Sequence, residues 1–414
     1  MIALKWFRED FQKLIERYKN RENDLEKLQL IKDLDNKLIE LKKKIDQLRN
    51  QKNVLSQDGL KNKDLIVQLK TELSNLEKEE KNIKERFNSL FLTLPAIPDE
   101  SVPVDSDQIV SSWGEIEQTK KFISYLELAT ELGLIEFKSA VSCSGSGFVV
   151  YSGRGEKLLR SLISFTLDWA ESYGFQRKYL PVIVNKESLI CTSQLPKFSD
   201  TLFNLSTNEK YLSPTAEVQL VNLFRDQILS EDLLPIKVCA NTNCFRAEKV
   251  GAGVESKGLI RLYQFCKTEV VMLSKPEESE QAQEYLSSMI EELLKTLHLP
   301  YRKVLLSRSE MSFSSSKTYD FEVWMPSEKI YREISSLSNT RDFQSIRGKI
   351  RYKQDILSTK EKSKYLHILN GSCLAIDRLF ASLIENHQTN DREVVIPKVL
   401  LKYYGSEKIE RISN

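Results

Sequence analysis

From about Asp24 to Leu94, apolar side chains recur at helical spacing while Gly and Pro nearly vanish. Leu34, Leu38, Leu41, Ile45, Leu48 and Leu55 fall at alternating steps of four and three, skipping one slot at Lys52, which is the seam of a coiled coil. Ile66, Leu69, Leu73, Leu76, Ile83, Phe87, Leu90 and Leu94 repeat the pattern, with Glu80 in the one polar slot. Ser56-Gln57-Asp58-Gly59 carries turn chemistry between the runs. Two seams joined by a short turn bury each other only by folding back, so the pattern predicts an antiparallel helical hairpin. Each leg reaches ~50 Å, leaving most of the hairpin in solvent. Charge runs such as Lys42-Lys43-Lys44 suit either a solvated face or a basic surface for phosphates.

Leu94-Pro95-Ala96-Ile97-Pro98 ends the helix, because proline cannot continue it, and sets a boundary between a helical domain at 1–98 and a larger one at 99–414. Beyond it, short β-rich runs (Phe148–Tyr151, Val182–Val184, Thr268–Met272, Tyr319–Trp324) alternate with amphipathic helices at Glu156–Ser172 and Pro276–Leu297. Adjacent strands without a crossover helix predict an α+β domain on an antiparallel sheet.

The 414 residues carry 61 Lys+Arg against 59 Asp+Glu, so any nucleic-acid contact must come from local patches and not from a polycationic chain. No apolar run approaches the ~18–20 residues of a membrane span, and the expected location is the cytoplasm. Cys143, Cys191, Cys239, Cys244, Cys266 and Cys373 form no CxxC pair, so reduced thiols are expected, with neither a disulfide framework nor a structural zinc.

Within the larger domain, Thr215-Ala216-Glu217, Phe245-Arg246-Ala247-Glu248, Lys267-Thr268-Glu269 and Arg332-Glu333-Ile334-Ser335-Ser336 put charge inside strand-like segments. Such charges either decorate exposed edges or converge as a polar floor for a zwitterion, a polyphosphate and a divalent ion. The loop holding Gly251-Ala252-Gly253 is not a P-loop, since the GxxxxGK[ST] order is missing and a strand follows where a helix should begin.

These segments resemble a known family. Phe245-Arg246-Ala247-Glu248, then Gly258-Leu259-Ile260-Arg261 and Gln264-Phe265, are similar to the second signature motif of class II aminoacyl-tRNA synthetases, in the form found in bacterial-type seryl-tRNA synthetases. Gln194–Phe198, Pro214–Val218, Lys317–Trp324, Arg332–Ser336 and Leu369–Ser372 leading to Arg378 resemble further blocks of that family in order. The resemblance implies an antiparallel sheet flanked by helices, an N-terminal coiled-coil arm lying on serine tRNA, and a homodimer whose first motif spans Leu158 to Pro181. The implied reaction joins L-serine and ATP into seryl-adenylate, then passes the seryl group to serine tRNA, and leaves selenocysteine tRNA open as a further acceptor.

The resemblance also implies roles. Arg246 holds the α-phosphate and carboxylate and Arg378 the γ-phosphate; Glu248 and the backbone near Leu262 receive adenine, with Phe265 stacked on its ring; Ala247, Glu333, Ile334, Ser335 and Ser336 also bind the nucleotide, Glu333 and Ser336 carrying Mg²⁺. Thr215, Ala216, Glu217, Glu269, Asn370 and Ser372 form the serine pocket. Val254, Ala247, Tyr263, Cys373, Cys191, Ser193 and Ile346 depart from the usual family residues. Two alternatives are a non-catalytic paralogue and an enzyme loading an amino acid onto a carrier protein. Intact Arg246, Glu269, Glu333 and Arg378 argue against the first, and the arm and cysteine pattern against the second.

Overall fold

The structure, a computed structural model, describes residues 1–57, 62–117, 121–206, 208–247 and 258–411. The chain divides into two compact units, Met1–Ile97 and Pro98–Asn414. In the first, α1 (Leu25–Gln57) and α2 (Lys63–Phe91) run antiparallel. Cross-helix pairs converge toward the tip, Lys37–Glu79 at 2.9 Å and Lys44–Glu72 at 3.7 Å. Every seam position of the two runs is buried or half-buried, Glu80 included, while Lys42, Lys43 and Lys44 face solvent. Ser56 and Gln57 belong to α1, and the rest of the expected turn, Asp58-Gly59, lies outside the described residues.

Periodicity did not signal two short helices, Lys5–Arg8 and Phe11–Tyr18, which cover the base of the hairpin. Phe7 packs edge-on to Phe91 at 5.8 Å, and the Tyr18 hydroxyl donates to the Pro95 carbonyl at 2.7 Å. Arg8 grips Asp35 through two nitrogens at 2.7 and 2.8 Å. Four- and eight-residue helices are too short for a repeating stripe, so contact with the hairpin holds them.

The second unit is built on one sheet. Its strands are β1 (Gln108–Trp113), β2 (Gln176–Arg177), β3 (Ile236–Phe245), β4 (Gln264–Ser274), β5 (Tyr301–Leu305), β6 (Lys317–Met325), β7 (Ile330–Asn339) and β8 (His367–Ala375), in spatial order β1-β5-β6-β7-β8-β4-β3-β2. All neighbours pair antiparallel except β2 with β3. Helices α3 (Arg154–Ser172), α4 (Ser279–Thr296) and α5 (Ile376–Asn386) supply apolar faces to one core with the sheet. Pro276 opens a single 3₁₀ turn ahead of α4, where its missing N–H costs nothing. The strand expected at Phe148–Tyr151 shrinks to Val150–Tyr151. Among the described residues no helix is long and apolar enough to cross a membrane.

Strand alternation explains how a cleft arises on this sheet. On β4, Val270 and Met272 point into the helix-side core, whereas Val271 and Leu273 join a second apolar cluster on the other face. Lys267 and Glu269 share the parity of Val271, and Asn370 and Ser372 on β8 share that of Ile368. The same sheet face is thus apolar toward one end of these strands and polar toward the other. The polar end is the floor of the site.

Candidate active site

The polar end opens into a cleft of about 770 Å³, within the range of small-molecule sites. Glu217, Arg246, Leu262, Phe265, Glu269, Glu333, Ile334, Ser336, Asn370, Ser372 and Arg378 all line it, although they come from segments far apart in the chain. Thr215 lines an adjoining chamber. Its hydroxyl caps the short helix Ala216–Asn222 by accepting the Glu217 N–H at 3.3 Å, which fixes Glu217 in the first turn. Ala216 is fully buried beneath. Ser335 is 1% exposed and donates its hydroxyl to the Ser372 carbonyl at 2.6 Å, so it ties β7 to β8 below the floor and does not line the cleft. Ala247 donates its N–H to the Thr201 carbonyl at 2.8 Å. Glu248 and the glycine loop with Val254 lie outside the described residues.

At one end two carboxylates face each other. Lys267 Nζ lies 2.5 Å from Glu269 Oε2, both side chains nearly dry at 11% and 2% exposure. Gln344, wholly buried, donates Nε2 to Glu217 Oε1 at 2.5 Å. Burial first, and the nearby Glu269 charge second, push the Glu217 carboxyl up to about 7, against the pull of the Gln344 hydrogen bond, Lys267 and Arg246. This end is built to receive a cation bearing several N–H donors.

Toward the other end stand arginines, one of them paired with a carboxylate. The Arg246 guanidinium stands over the Phe265 ring at 5.1 Å, and the Arg246 N–H donates to the Tyr263 carbonyl at 2.9 Å. Arg378, near the start of α5, donates Nη1 to the Glu333 carbonyl at 2.7 Å and pairs with the Glu333 carboxylate at 3.2 Å. Its neighbour Asp377 accepts from the Tyr151 hydroxyl and the Cys266 N–H, each at 2.6 Å, pinning α5 to β4; burial pushes this carboxyl up to about 6. Beside Glu333, burial and then the Glu333 charge drive the Asp320 carboxyl well above its ordinary range, while a hydrogen bond with Ser336 opposes them.

Sequence reasoning passed over Gln344 and Asp377, and named Lys267 only as part of a charged strand segment, without a role at the site. The spacing of Lys267 two residues before Glu269 on one strand puts both on the face that the alternation indicated. Nothing local marks Gln344, whose partner is 127 residues away.

Four of the departures, Cys373, Tyr263, Cys191 and Ser193, have defined surroundings in the structure. Cys373, next to the cleft-facing Ser372, points into the helix-side core with Sγ 3.6 Å from the Thr166 carbonyl, away from the cleft. The Tyr263 ring closes on Gly147, where an added Cβ would lie 2.6 Å from it. Cys191 likewise packs on Gly348, 2.7 Å from the place of a Cβ. Ser193 holds φ at 72°, a conformation glycine adopts freely.

Residues 1–98 match the family model "Seryl-tRNA synthetase N-terminal domain", and residues 201–387 match "tRNA synthetase class II core domain (G, H, P, S and T)". The chain is 42% identical to the serine–tRNA ligase of Malacoplasma penetrans, over 99% of this chain and all of that one. It is 41% identical to that of Ureaplasma parvum, over 97% and 100%. The crystal structure of seryl-tRNA synthetase from Pyrococcus horikoshii complexed with ATP superimposes with a TM-score of 0.93 at 29% identity, covering both chains fully.

Proposed function

The chain belongs to the seryl-tRNA synthetases, and on that premise we propose how its cleft performs the family's work. That work is ATP-dependent ligation: serine and ATP give seryl-adenylate and pyrophosphate, and the seryl group then passes to serine tRNA. In the first step a carboxylate attacks an α-phosphate, so two anions must be brought together and held in line. The observation that carries the assignment is the lining of the cleft, which brings the carboxylates Glu217 and Glu269 together with Arg246 and Arg378 on one floor.

Serine binds with its ammonium on Glu217 and Glu269 and its hydroxyl against Ser372 and Asn370. A pocket that bonds the hydroxyl rejects alanine, which leaves buried polar groups unpaired. Arg246 lies where serine carboxylate and α-phosphate meet, and Phe265 offers its ring to adenine. Arg378 takes the γ-phosphate after parting from Glu333. Each ligand end replaces an internal ion pair, Lys267–Glu269 or Arg378–Glu333, so the ligand-free site stores its charges neutralised.

Magnesium fits the nucleotide end. Asp320 Oδ1 is buried without a hydrogen-bond partner beside Glu333, a charge pattern a cation relieves. Among the described residues no group of three or more His, Cys, Asp or Glu side chains is arranged to hold a metal, so phosphate oxygens would complete the shell. Glu333 and Ser336 would hold the ion, which supplies neutralisation of phosphate charge.

The hairpin is the tRNA arm, reading shape through backbone contacts, which suits its charged and Lys-rich outer surface. The working form is a cytoplasmic homodimer joined around the first motif. Fully exposed Tyr179 and half-exposed Ile183, close in sequence to the edge strand β2, favour a partner there. The deciding experiment is serine-dependent ATP–pyrophosphate exchange with wild-type and Arg246→Ala protein. Loss of a preorganised charge costs ~3–4 kcal/mol of transition-state stabilisation, a fall of roughly 10²–10³-fold; near-normal exchange by the variant would remove Arg246 from the phosphate.

A further inference from the structure

Strands β8 and β4 pair as far as Ala375 with Lys267, and β8 then leaves the sheet as α5. Asp377, in the first turn of α5, takes over where the strand has gone: its Oδ2 accepts the N–H of Cys266, the adjoining residue of β4, at 2.6 Å. A buried N–H without a partner at that point would be costly. The second oxygen, Oδ1, accepts the Tyr151 hydroxyl at 2.6 Å. The Tyr151 ring in turn packs edge-on to Phe380, one turn farther along α5, with centroids 5.0 Å apart. With both oxygens held and only 4% of the residue exposed, the carboxylate is fixed in one orientation.

This clamp joins two parts of the nucleotide site. Cys266 follows Phe265, whose side chain lines the cleft, and Asp377 precedes Arg378. One hydrogen bond therefore ties the neighbour of the aromatic platform to the neighbour of the arginine. Arg378 is aimed from there by two main-chain acceptors, the Ile260 carbonyl at 3.3 Å from Nε and the Glu333 carbonyl at 2.7 Å from Nη1. The far end of α5 is clamped in the same manner. Buried Glu385 accepts the N–H groups of Ser327 at 2.7 Å and Tyr125 at 3.0 Å, and the Tyr125 hydroxyl accepts the N–H of Leu259, next to Ile260, at 3.1 Å.

We propose that Asp377, oriented by Tyr151, is a positioning residue that sets the separation between the adenine platform and Arg378, and so makes the cleft favour a triphosphate over AMP. This rests on the reading of Arg378 as the γ-phosphate ligand. A helix held by apolar packing alone can roll or slide slightly, and a displacement of about 1 Å at such a contact can cost on the order of 10²-fold. AMP has no γ-phosphate, so it does not sense where Arg378 stands.

The test measures binding of ATP and of AMP, each with Mg²⁺, by calorimetry in the full chain. The proteins are wild type, Tyr151→Phe, Asp377→Asn, Arg378→Ala and the double variant Tyr151→Phe/Arg378→Ala, with thermal unfolding run alongside. Tyr151→Phe removes one hydroxyl and carries the test if Asp377→Asn fails to fold. Loss of a hydrogen bond to a buried carboxylate should weaken ATP about tenfold in Tyr151→Phe. AMP binding and the KM for serine should stay within about twofold, since neither ligand reaches Arg378. In the Arg378→Ala background the Tyr151→Phe change should have no further effect on ATP, because the residue it positions is gone. Unchanged ATP binding in Tyr151→Phe, equal weakening of ATP and AMP, or a full additional loss in the double variant would each overturn the proposal. Arg378→Ala that binds ATP as tightly as wild type would instead overturn the γ-phosphate reading, and this inference with it.

Discussion

Replacing Glu217 by glutamine should stabilise the ligand-free protein above neutral pH and change little in mild acid. Burial and the Glu269 charge lift this carboxyl from 4.5 to about 7 in the folded chain. Below 4.5 the group is protonated whether folded or unfolded and takes nothing from stability. As pH rises toward 7 the unfolded chain ionises freely while the folded chain resists, so stability falls across that window and then levels off. At 1.36 kcal/mol per pKa unit, with an allowance for the half-buried position, the loss is about 2–3 kcal/mol. Glutamine avoids it and still offers an oxygen to Gln344 Nε2, the bond seen at 2.5 Å. Thermal unfolding of both proteins from pH 5 to 8.5 without serine is the assay. The variant's advantage should grow from about nothing to roughly 3–6 °C. A difference that stays constant across this range would refute the argument. A variant less stable at pH 8 would mean that Lys267 and Arg246 more than repay the buried charge. The same substitution should weaken serine, whose ammonium loses an anionic acceptor.

Cys373→Gly should leave serine activation within about twofold, because the thiol faces the core, yet cost roughly 1–3 kcal/mol in denaturant unfolding through the cavity and the freed backbone; a tenfold change in exchange rate would put Cys373 in the pocket after all. Glu333→Gln should raise the Mg²⁺ concentration needed for half-maximal exchange and weaken Mn²⁺ binding in the presence of ATP, read by electron paramagnetic resonance; unchanged metal affinity would move the ion elsewhere. Deleting Asp24–Leu94 should spare exchange and impair tRNA charging, and equal loss of both would contradict a division of labour between the units.

The hairpin was legible because its cause is local. A seam of apolar residues every three or four positions acts within one helix and its neighbour, so Leu34 through Leu94 announce it without reference to the rest of the chain. The antiparallel sheet was legible for a related reason, since strand alternation is written residue by residue, and it also dictates that Cys373 turns from the cleft that Ser372 faces. The likeness of Arg246, Glu269, Glu333 and Arg378 to a family's motifs named the chemistry. What no local pattern held was the company these groups keep. Gln344 reaches Glu217 across 127 residues, Asp377 meets Tyr151 across 226, and the short helices at the N-terminus exist only against the hairpin they cover. Solvent exclusion then does what sequence cannot express: the same carboxylate that would titrate normally in water is driven up to about 7 once the fold buries it beside Glu269.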